Sequence, residues 1–181
     1  MAIRENVGPG VTLTADFNGA YDSVTAIHII EKLTPAGLTM AEQPVPATDL
    51  AGMAMVTAAV QPLILADQSI NPADDVYRVA RHKAARAVSI KLLKLGGIRA
   101  SRAVVQACES VGLACHVGGT GSTRLVEAAQ AHFIGATPAI IVPSEIAEFE
   151  ELEGDLVEGL DVCAGAIHLP EGPGLGVRLT V

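Results

Sequence analysis

Short aliphatic runs recur along the 181-residue chain at a near-constant interval, and several of them end in a charged residue. The interval is 26 residues from Asp16 to Glu42, 25 from Glu42 to Asp67 and 24 from Asp67 to Lys91. Such a repeat has room for one strand, one helix and the loops that join them. Strands are predicted for six runs: VTLTAD (11–16), LTMAE (38–42), LILAD (63–67), VSIKL (88–92), LACHV (113–117) and AIIV (139–142).

The segments between these runs carry apolar residues at helical spacing. Alternating strands and helices predict an α/β protein whose parallel strands are joined by right-handed crossovers. Half of the residues are hydrophobic and only 3% are aromatic, which suits small aliphatic side chains in buried strands. A (β/α) barrel and a doubly wound sheet both fit this pattern. Helices are predicted at 23–33, 49–59, 74–84, 101–111 and 123–133, with Ser23, Asp49, Asp74 and Ser101 as N-caps.

Charge and cysteine content exclude several classes of function. The net charge is −8 and there is no basic run, so we expect no nucleic-acid partner. The three cysteines lack CxxC spacing and indicate reduced thiols in a cytoplasmic protein, with neither a disulfide framework nor a zinc site. The N-terminus has no apolar signal-peptide core, and the longest uncharged stretch, 50–66, is interrupted by Gln61 and Pro62. We therefore expect a soluble protein with no membrane partner.

The charged strand ends would lie together if the sheet closes into a barrel. The carboxyl ends of barrel strands converge on one mouth, where catalysis takes place, so Asp16, Glu42, Asp67 and Lys91 would meet there. In an open sheet they would form a row, and a single acidic residue after a strand is often only a cap or loop residue. Three carboxylates without cysteine or histidine ligands suit Mg²⁺ or Mn²⁺.

Lys91 is the unusual member of this set, because lysine is rarely buried without a partner. Close to a divalent cation and shielded from water, its pKa would be lowered. It could then act as the base that removes a proton next to a substrate carboxylate. The structural alternative is that Lys91 only forms an ion pair with one of the carboxylates.

Five segments have the order and spacing of a known family: ADFNGAY (15–21), EQPVP (42–46), ADQS (66–69), IKLLKLGGI (90–98) and HLPEGPGLGV (168–177). They resemble the barrel domain of the enolase superfamily, and within it the muconate-lactonizing branch of the mandelate racemase/muconate-lactonizing enzyme family. The resemblance implies that Asp16, Glu42 and Asp67 hold Mg²⁺ and that Lys91 is the acid/base lysine of the sixth barrel strand. It implies supporting roles for Asn18 and Gln43 behind the metal ligands.

The resemblance also implies a reaction and a substrate class. The enzyme would be an isomerase (a racemase, epimerase or cycloisomerase) or a lyase that dehydrates its substrate, acting on a small carboxylate. Two positions depart from the family pattern. Gln68 stands where a Glu usually follows the third metal ligand, and Ser122 falls where many relatives carry a Glu. Both are expected either behind the metal ligands or close to the substrate.

The predicted strands correspond to the third to eighth strands of an eight-stranded barrel, without the N-terminal capping domain. The family's first two strands, the second of which carries another acid/base lysine, are not recognisable. We divide the chain into the end of a helix (1–10), a partial barrel (11–160) and a C-terminal tail segment (161–181). Exposed sheet edges invite pairing, so we expect the C-terminal part of a larger enzyme, a homo-oligomer or completion by another chain. The alternative is a catalytically incompetent metal-binding fragment.

Two further features leave other interpretations open. His116 ends the fifth predicted strand, where another branch of the superfamily places a catalytic histidine, although single histidines at such places are often structural. The segment GGTGST (118–123) could cradle a phosphate, which would indicate a phosphosugar-binding barrel enzyme. Lys94 and the acidic stretch 145–158 are predicted to be solvent-exposed surface.

Overall fold

The computed structural model describes residues 2–180. Met1 and Val181, the outermost residues of the predicted first and last segments, lie outside the described residues. Five parallel strands form one sheet in the order in which they occur in the chain. They are β1 (Leu13–Asp16), β2 (Leu38–Glu42), β3 (Leu63–Ala66), β4 (Ala87–Ile90) and β5 (Ala114–Val117).

Helices precede, connect and follow these strands. They are α1 (Ala2–Val7), α2 (Ser23–Leu33), α3 (Leu50–Ala59), α4 (Ala73–His82), α5 (Leu92–Leu95), α6 (Ile98–Val111) and α7 (Arg124–Gly135), with 3₁₀ turns at Thr34–Ala36 and Glu148–Glu151. The tail forms two small antiparallel pairs. In these, β6 (Val157–Glu158) pairs with β9 (Arg178–Leu179), and β7 (Val162–Cys163) pairs with β8 (Ala166–Ile167).

The strand order decides between the two predicted architectures. A doubly wound sheet reverses its strand order part-way, which places helices on both faces. Here the order is sequential, and successive right-handed crossovers then keep all connecting helices on the same face. The fold is therefore a partial (β/α) barrel, with helices on the convex side of the sheet and a concave side that corresponds to a barrel interior.

Apolar side chains pack on both faces of the sheet, to different extents. The main core lies between the sheet and the helices and includes Ile30, Met53, Ile64 and Val88, all 1% exposed or less. The concave face carries a much smaller cluster. It consists of Met40, Leu65 and Ala87, packed against the partly buried Leu63, Ala114 and Val142. The alternation of side chains along a strand places the charged strand ends directly above this smaller cluster.

The sixth predicted strand, AIIV (139–142), is wrong as a strand. The segment runs beside β5, where it forms an isolated bridge between Ile140 and Cys115 and a hydrogen bond from Val142 N to Cys115 O at 3.2 Å, but it is not a strand of the sheet. Pro138 and Pro143 flank the segment and have no N–H group to donate, which limits ladder formation.

The predicted helix starts are partly corrected. Asp49 caps α3 by accepting a hydrogen bond from Gly52 N, as expected. The cap of α2 is Asp22 rather than Ser23, since the Asp22 carboxylate accepts bonds from the backbone of the first turn. Asp74 lies inside the first turn of α4, and Ser101 is buried within α6.

The boundaries predicted at residues 10 and 160 stay predictions, although the β6–β9 pair joins the two sides of the second one. Over residues 2–180, no helix combines the length and the hydropathy needed to span a bilayer.

Candidate active site

The register of the sheet determines which side chains meet at its carboxyl edge. Asp16 lies opposite Glu42, and Glu42 lies opposite Leu65, two residues before Asp67. Ser89 lies opposite His116, and Lys91 follows two residues after Ser89 on the same face. The structure therefore brings polar side chains from five consecutive strands to one concave edge. These are Asp16, Glu42, Asp67, Lys91 and His116.

Asp67 is the most strongly paired carboxylate at this edge. Its side chain is only 3% exposed, and its two oxygens contact different lysines. Lys91 Nζ lies 3.0 Å from Oδ2, and Lys94 Nζ lies 3.2 Å from Oδ1. Lys94 also donates to the Asp67 carbonyl oxygen at 2.8 Å. The ion pair expected from the structural alternative for Lys91 is thus present. Lys94 is exposed, as predicted, but it also contacts Asp67.

Gln43 joins the ends of β2 and β3. It is fully buried, and its Oε1 accepts hydrogen bonds from Asp67 N at 3.0 Å and Ser69 N at 3.1 Å. Its Nε2 donates to Val45 O and to Ser69 Oγ, each at 2.9 Å. Gln43 lies in the left-handed backbone region at φ 36°, a costly conformation that persists only where the surroundings impose it. Gln43 therefore fixes the backbone that carries Asp67.

Asn18 and Gln68 form a second connection at the other side of the edge. Asn18 N donates to Asp16 Oδ1 at 2.8 Å, and Gln68 Nε2 donates to Asn18 Oδ1 at 2.8 Å. Asn18 also adopts a left-handed backbone, at φ 48°. The amide at position 68 links the first and third strand ends without adding a negative charge. A carboxylate there would have no hydrogen to donate to Asn18 Oδ1.

Two side chains at this edge, Glu42 and Lys91, have raised pKa values for different reasons. Burial raises the pKa of Glu42 from 4.5 to about 8, with added repulsion from Asp67, Asp16 and Glu145. For Lys91, burial lowers the pKa, but the hydrogen bond to Asp67 and the negative charges of Asp67 and Glu42 outweigh burial. The net pKa of Lys91 is raised. The lowered pKa was predicted for Lys91 beside a bound divalent cation, and it stays a prediction for the metal-bound site.

His116 is fully buried at the end of β5. Its Nδ1 lies 2.5 Å from Pro143 O, and its Nε2 lies 4.0 Å from Glu145 Oε2. Burial is the main cause of a lowered pKa for His116. Glu145 is held there by its own N–H group, which donates to Val117 O at 2.8 Å. Glu145 is exposed, as predicted for the acidic stretch 145–158, but it also lies beside the buried His116. Its position immediately beyond the run AIIV was the available signal.

The loop after β5 binds carboxylates of the same chain. Gly119 N donates to Glu145 Oε2 at 3.1 Å, and Thr120 N and Gly121 N both donate to Glu148 Oε2. The backbone amides considered for a phosphate are thus occupied by carboxylates, and the structure does not favour a phosphate there. Gly118 is needed for close packing, since a Cβ at this position would lie 2.4 Å from Ser89 Oγ and 2.9 Å from Lys91 Cε.

Ser122 lies behind this loop rather than with the charged strand ends. Its hydroxyl donates to Glu127 Oε1 at 2.9 Å, and Glu127 Oε2 accepts from Ala147 N at 3.2 Å. Glu127 is fully buried in α7, and burial is the main cause of its raised pKa. Ala147 has a left-handed backbone at φ 94°. Glu127 thus ties the loop after β5 to the segment that carries Glu145.

The donor set fits a divalent cation. Glu42 Oε1 is buried and has no hydrogen-bond partner among the described residues. Repulsion among the neighbouring carboxylates would fall if a cation lay between them. Among residues 2–180, the predicted ligands Asp16, Glu42 and Asp67 do not bring three ligand atoms within 4.8 Å of one another, and both Asp67 oxygens contact lysines. Within the described chain, the ligand atoms that lie within 4.8 Å of one another belong to Glu42, His116 and Glu145.

Comparisons with known proteins relate the whole chain to named enzymes. Residues 1–180 match the family described as enolase C-terminal domain-like. The chain is 35% identical over 169 residues to muconate cycloisomerase 1 of Rhodococcus opacus, covering 92% of this chain and 45% of that enzyme. It is 34% identical over 178 residues to the L-Ala-D/L-Glu epimerase of Bacillus subtilis, covering 97% and 48%.

A solved structure gives the same result. The dipeptide epimerase from Enterococcus faecalis V583, complexed with Mg and the dipeptide L-Leu-L-Tyr, superposes with a TM-score of 0.88 at 33% identity. The match covers 97% of this chain and 50% of that one. The chain therefore spans about half the length of the relatives that it matches. With its sequential parallel strands and the match over residues 1–180, the chain belongs to the enolase C-terminal domain-like family.

Proposed function

We propose that the chain is the Mg²⁺-binding barrel part of an enzyme that removes a proton from the carbon next to a substrate carboxylate. The observation that carries the proposal is the contact between Lys91 and Asp67 beside Glu42, at the carboxyl ends of parallel strands. The relatives named as a cycloisomerase and an epimerase support an isomerase, through cycloisomerisation, racemisation or epimerisation. Dehydration by a lyase is the remaining outcome of the same first step.

Asp16, Glu42 and Asp67 are proposed to hold Mg²⁺, or Mn²⁺ in its place. When bound, the ion would hold the substrate carboxylate and stabilise the negative charge that develops on it. The related dipeptide epimerase complexed with Mg supports this choice of ion. Asn18 would orient Asp16, and Gln43 would orient Asp67, through the hydrogen bonds that they make now.

Lys91 is proposed to accept the α proton and to return it. The side chain is 19% exposed and lies on the concave face, so it is within reach of a substrate at the mouth. To act as a base it must release its proton and its contact with Asp67. Lys94 would keep one positive charge on Asp67 during that step, because it contacts the other carboxylate oxygen. Reprotonation of Lys91 from water would put solvent hydrogen on the substrate.

The substrate is proposed to be a small molecule with a carboxylate, in line with the dipeptide bound by the related epimerase. Gln68 and His116 would line its binding site from β3 and β5. Ser122 is proposed to act through Glu127, by holding the loop after β5 in place, rather than by touching the substrate.

Solvent deuterium exchange tests the proposal directly. The chain is incubated in D₂O with Mg²⁺ and a panel of dipeptides and other α-substituted carboxylates, and deuterium at the α carbon is measured by mass spectrometry. We expect Lys91→Ala to lower the exchange rate at least 100-fold, the scale of a lost general base. Lys94→Ala is the matched control, because it removes an ammonium from the same carboxylate and leaves Lys91 in place.

Two results would contradict the assignment. Exchange that survives Lys91→Ala would remove Lys91 from the chemistry. Equal losses in Lys91→Ala and Lys94→Ala would mean that the lysines act only by balancing the charge of Asp67. If the wild-type chain binds Mg²⁺ but exchanges no substrate, the catalytically incompetent metal-binding fragment is the better description.

We also propose that another strand completes the sheet, from a partner chain, from a second copy or from further sequence of a larger enzyme. Among the described residues β1 pairs only with β2, and the small cluster of Met40, Leu65 and Ala87 lies on the concave face. A monodisperse monomer that unfolds cooperatively and has full racemase activity would overturn this proposal. A cytoplasmic location is proposed from the three free thiols, of which Cys163 is exposed.

A further inference from the structure

A cluster at the end of β5 combines one proposed Mg²⁺ ligand with two side chains that take no part in the proposed proton transfer. It consists of Glu42, His116 and Glu145, whose nearest ligand atoms all lie within 4.8 Å of one another. We propose that these three side chains form a second cation site that takes a borderline transition-metal ion such as Zn²⁺ or Co²⁺. This site shares Glu42 with the proposed Mg²⁺ site and adds an imidazole, which the Mg²⁺ site lacks.

The orientation of His116 is the first argument. Its Nδ1 lies 2.5 Å from Pro143 O, and a carbonyl oxygen can only accept, so Nδ1 carries the hydrogen. A neutral ring then presents the lone pair of Nε2. That atom is buried and has no hydrogen-bond partner among residues 2–180. Metal-binding histidines are held in this way, with one ring N–H on a backbone carbonyl and the other nitrogen free for the ion.

The two carboxylates give the second argument. Glu42 is 3% exposed, and its Oε1 is also buried without a partner in the described chain. Buried polar atoms without partners are rare and costly, so two in one cluster call for a ligand that satisfies both. Glu145 Oε2 already accepts from Gly119 N at 3.1 Å, which resembles the support that metal-binding carboxylates receive.

Distances within the cluster suit an ion better than a direct contact. His116 Nε2 and Glu145 Oε2 are 4.0 Å apart, too far for a hydrogen bond. Ligand atoms bound to one tetrahedral ion at about 2.1 Å lie roughly 3.4 Å from each other. The cluster must therefore contract by up to about 1.4 Å, from the 4.8 Å within which its ligand atoms lie now. Glu145 can supply this movement because its side chain is 48% exposed.

The chemistry of the donors selects the class of ion. One imidazole and two carboxylates suit Zn²⁺, Co²⁺ and similar ions, whereas Mg²⁺ prefers an octahedral set of oxygens. Because both sites use Glu42, Zn²⁺ or Co²⁺ at this cluster would compete with Mg²⁺. The protein would then lose Mg²⁺-dependent function when these ions are in excess.

Titration of the EDTA-treated chain with Co²⁺, followed by visible absorption, tests the site without any activity assay. We expect one Co²⁺ to bind per chain, with the ligand-field bands of a low-symmetry site that includes nitrogen. Glu145→Gln is expected to lower the affinity for Co²⁺ at least tenfold. His116→Gln is expected to lower the affinity by a similar factor and to change the absorption spectrum. Glu150→Gln is the matched control, since it removes the same charge from an exposed position nearby and should bind Co²⁺ like wild type.

If His116→Gln does not fold, because His116 is buried, Glu145→Gln still tests the site. Wild-type Co²⁺ affinity in Glu145→Gln, or an all-oxygen spectrum in the wild type, would overturn the proposal. Failure of the proposed enzymatic function is separable from failure of this site. Glu145→Gln should keep its Mg²⁺-induced thermal stabilisation, and Asp16→Asn should lose that stabilisation while still binding Co²⁺ within threefold of wild type.

Discussion

Removing the charge of Glu42 is expected to stabilise the protein without Mg²⁺, the opposite of the usual effect of changing a buried residue. Burial and three neighbouring carboxylates raise the pKa of Glu42 from 4.5 to about 8. A carboxyl group with a raised pKa in the folded state contributes stability that is fully present below about pH 4.5. That contribution is lost as the pH rises toward 8. The glutamine of Glu42→Gln carries no charge at any pH, so the variant escapes this loss.

The size of the effect follows from the two pKa values. Each pKa unit is worth about 1.4 kcal/mol, so ionisation of Glu42 at pH 7 would cost the fold about 3 kcal/mol at most. Rotation of the Glu42 side chain toward water would reduce this cost. We therefore expect Glu42→Gln to raise the free energy of unfolding by about 1 to 2 kcal/mol. In a chain of this size that corresponds to a rise in Tm of roughly 2–8 °C.

Thermal unfolding between pH 5 and pH 9 measures the effect, in EDTA and again with Mg²⁺. In EDTA, the difference in Tm between Glu42→Gln and wild type should grow as the pH rises and should level off above pH 8. With Mg²⁺, wild type should gain stability and Glu42→Gln should not. Glu31→Gln, at an exposed position of α2, is the control and should show neither effect. A constant difference across this pH range, or a less stable Glu42→Gln at pH 8, would refute the reasoning.

Two further substitutions test how the site is held together. Gly118→Ala should lower stability by about 1–3 kcal/mol, because the added Cβ would lie 2.4 Å from Ser89 Oγ and 2.9 Å from Lys91 Cε. Gly10→Ala, which has open space around its Cβ position, is the control, and equal urea midpoints for both variants would contradict this packing. Gln43→Ala should cost about 2–4 kcal/mol, since it leaves Asp67 N and Ser69 N unpaired at a buried position. A change below 0.5 kcal/mol in urea unfolding would show that Gln43 does not hold the end of β3.

The sequence allowed the strands and the charged strand ends to be predicted because one period governs both. The interval of 24–26 residues between Asp16, Glu42, Asp67 and Lys91 reflects complete strand and helix units, so it survives local irregularities. The strand prediction failed at residues 139–142, where the hydrophobic pattern is typical of a strand but two flanking prolines limit ladder formation.

Side chains whose roles depend on tertiary contacts could not be predicted in this way. Lys94 follows Lys91 by three residues, and only the short helix α5 turns both ammonium groups onto Asp67. Glu145 lies in an acidic stretch of the sequence, which is typical of exposed surface. A hydrogen bond from its backbone N–H to Val117 O nevertheless brings it beside His116. The raised pKa of Lys91 in the absence of a cation has a related cause, because it depends on the hydrogen bond to Asp67, which the sequence does not reveal.

A crystal structure with Mn²⁺, located by its anomalous signal, would show whether the three carboxylates hold the ion. We expect one strong peak among the carboxylates of Asp16, Glu42 and Asp67, with Lys91 Nζ moved from its 3.0 Å contact with Asp67 Oδ2. At saturating Mn²⁺, the absence of a peak there, with the Lys91–Asp67 contact unchanged, would rule out this metal site and the proposed role of Lys91.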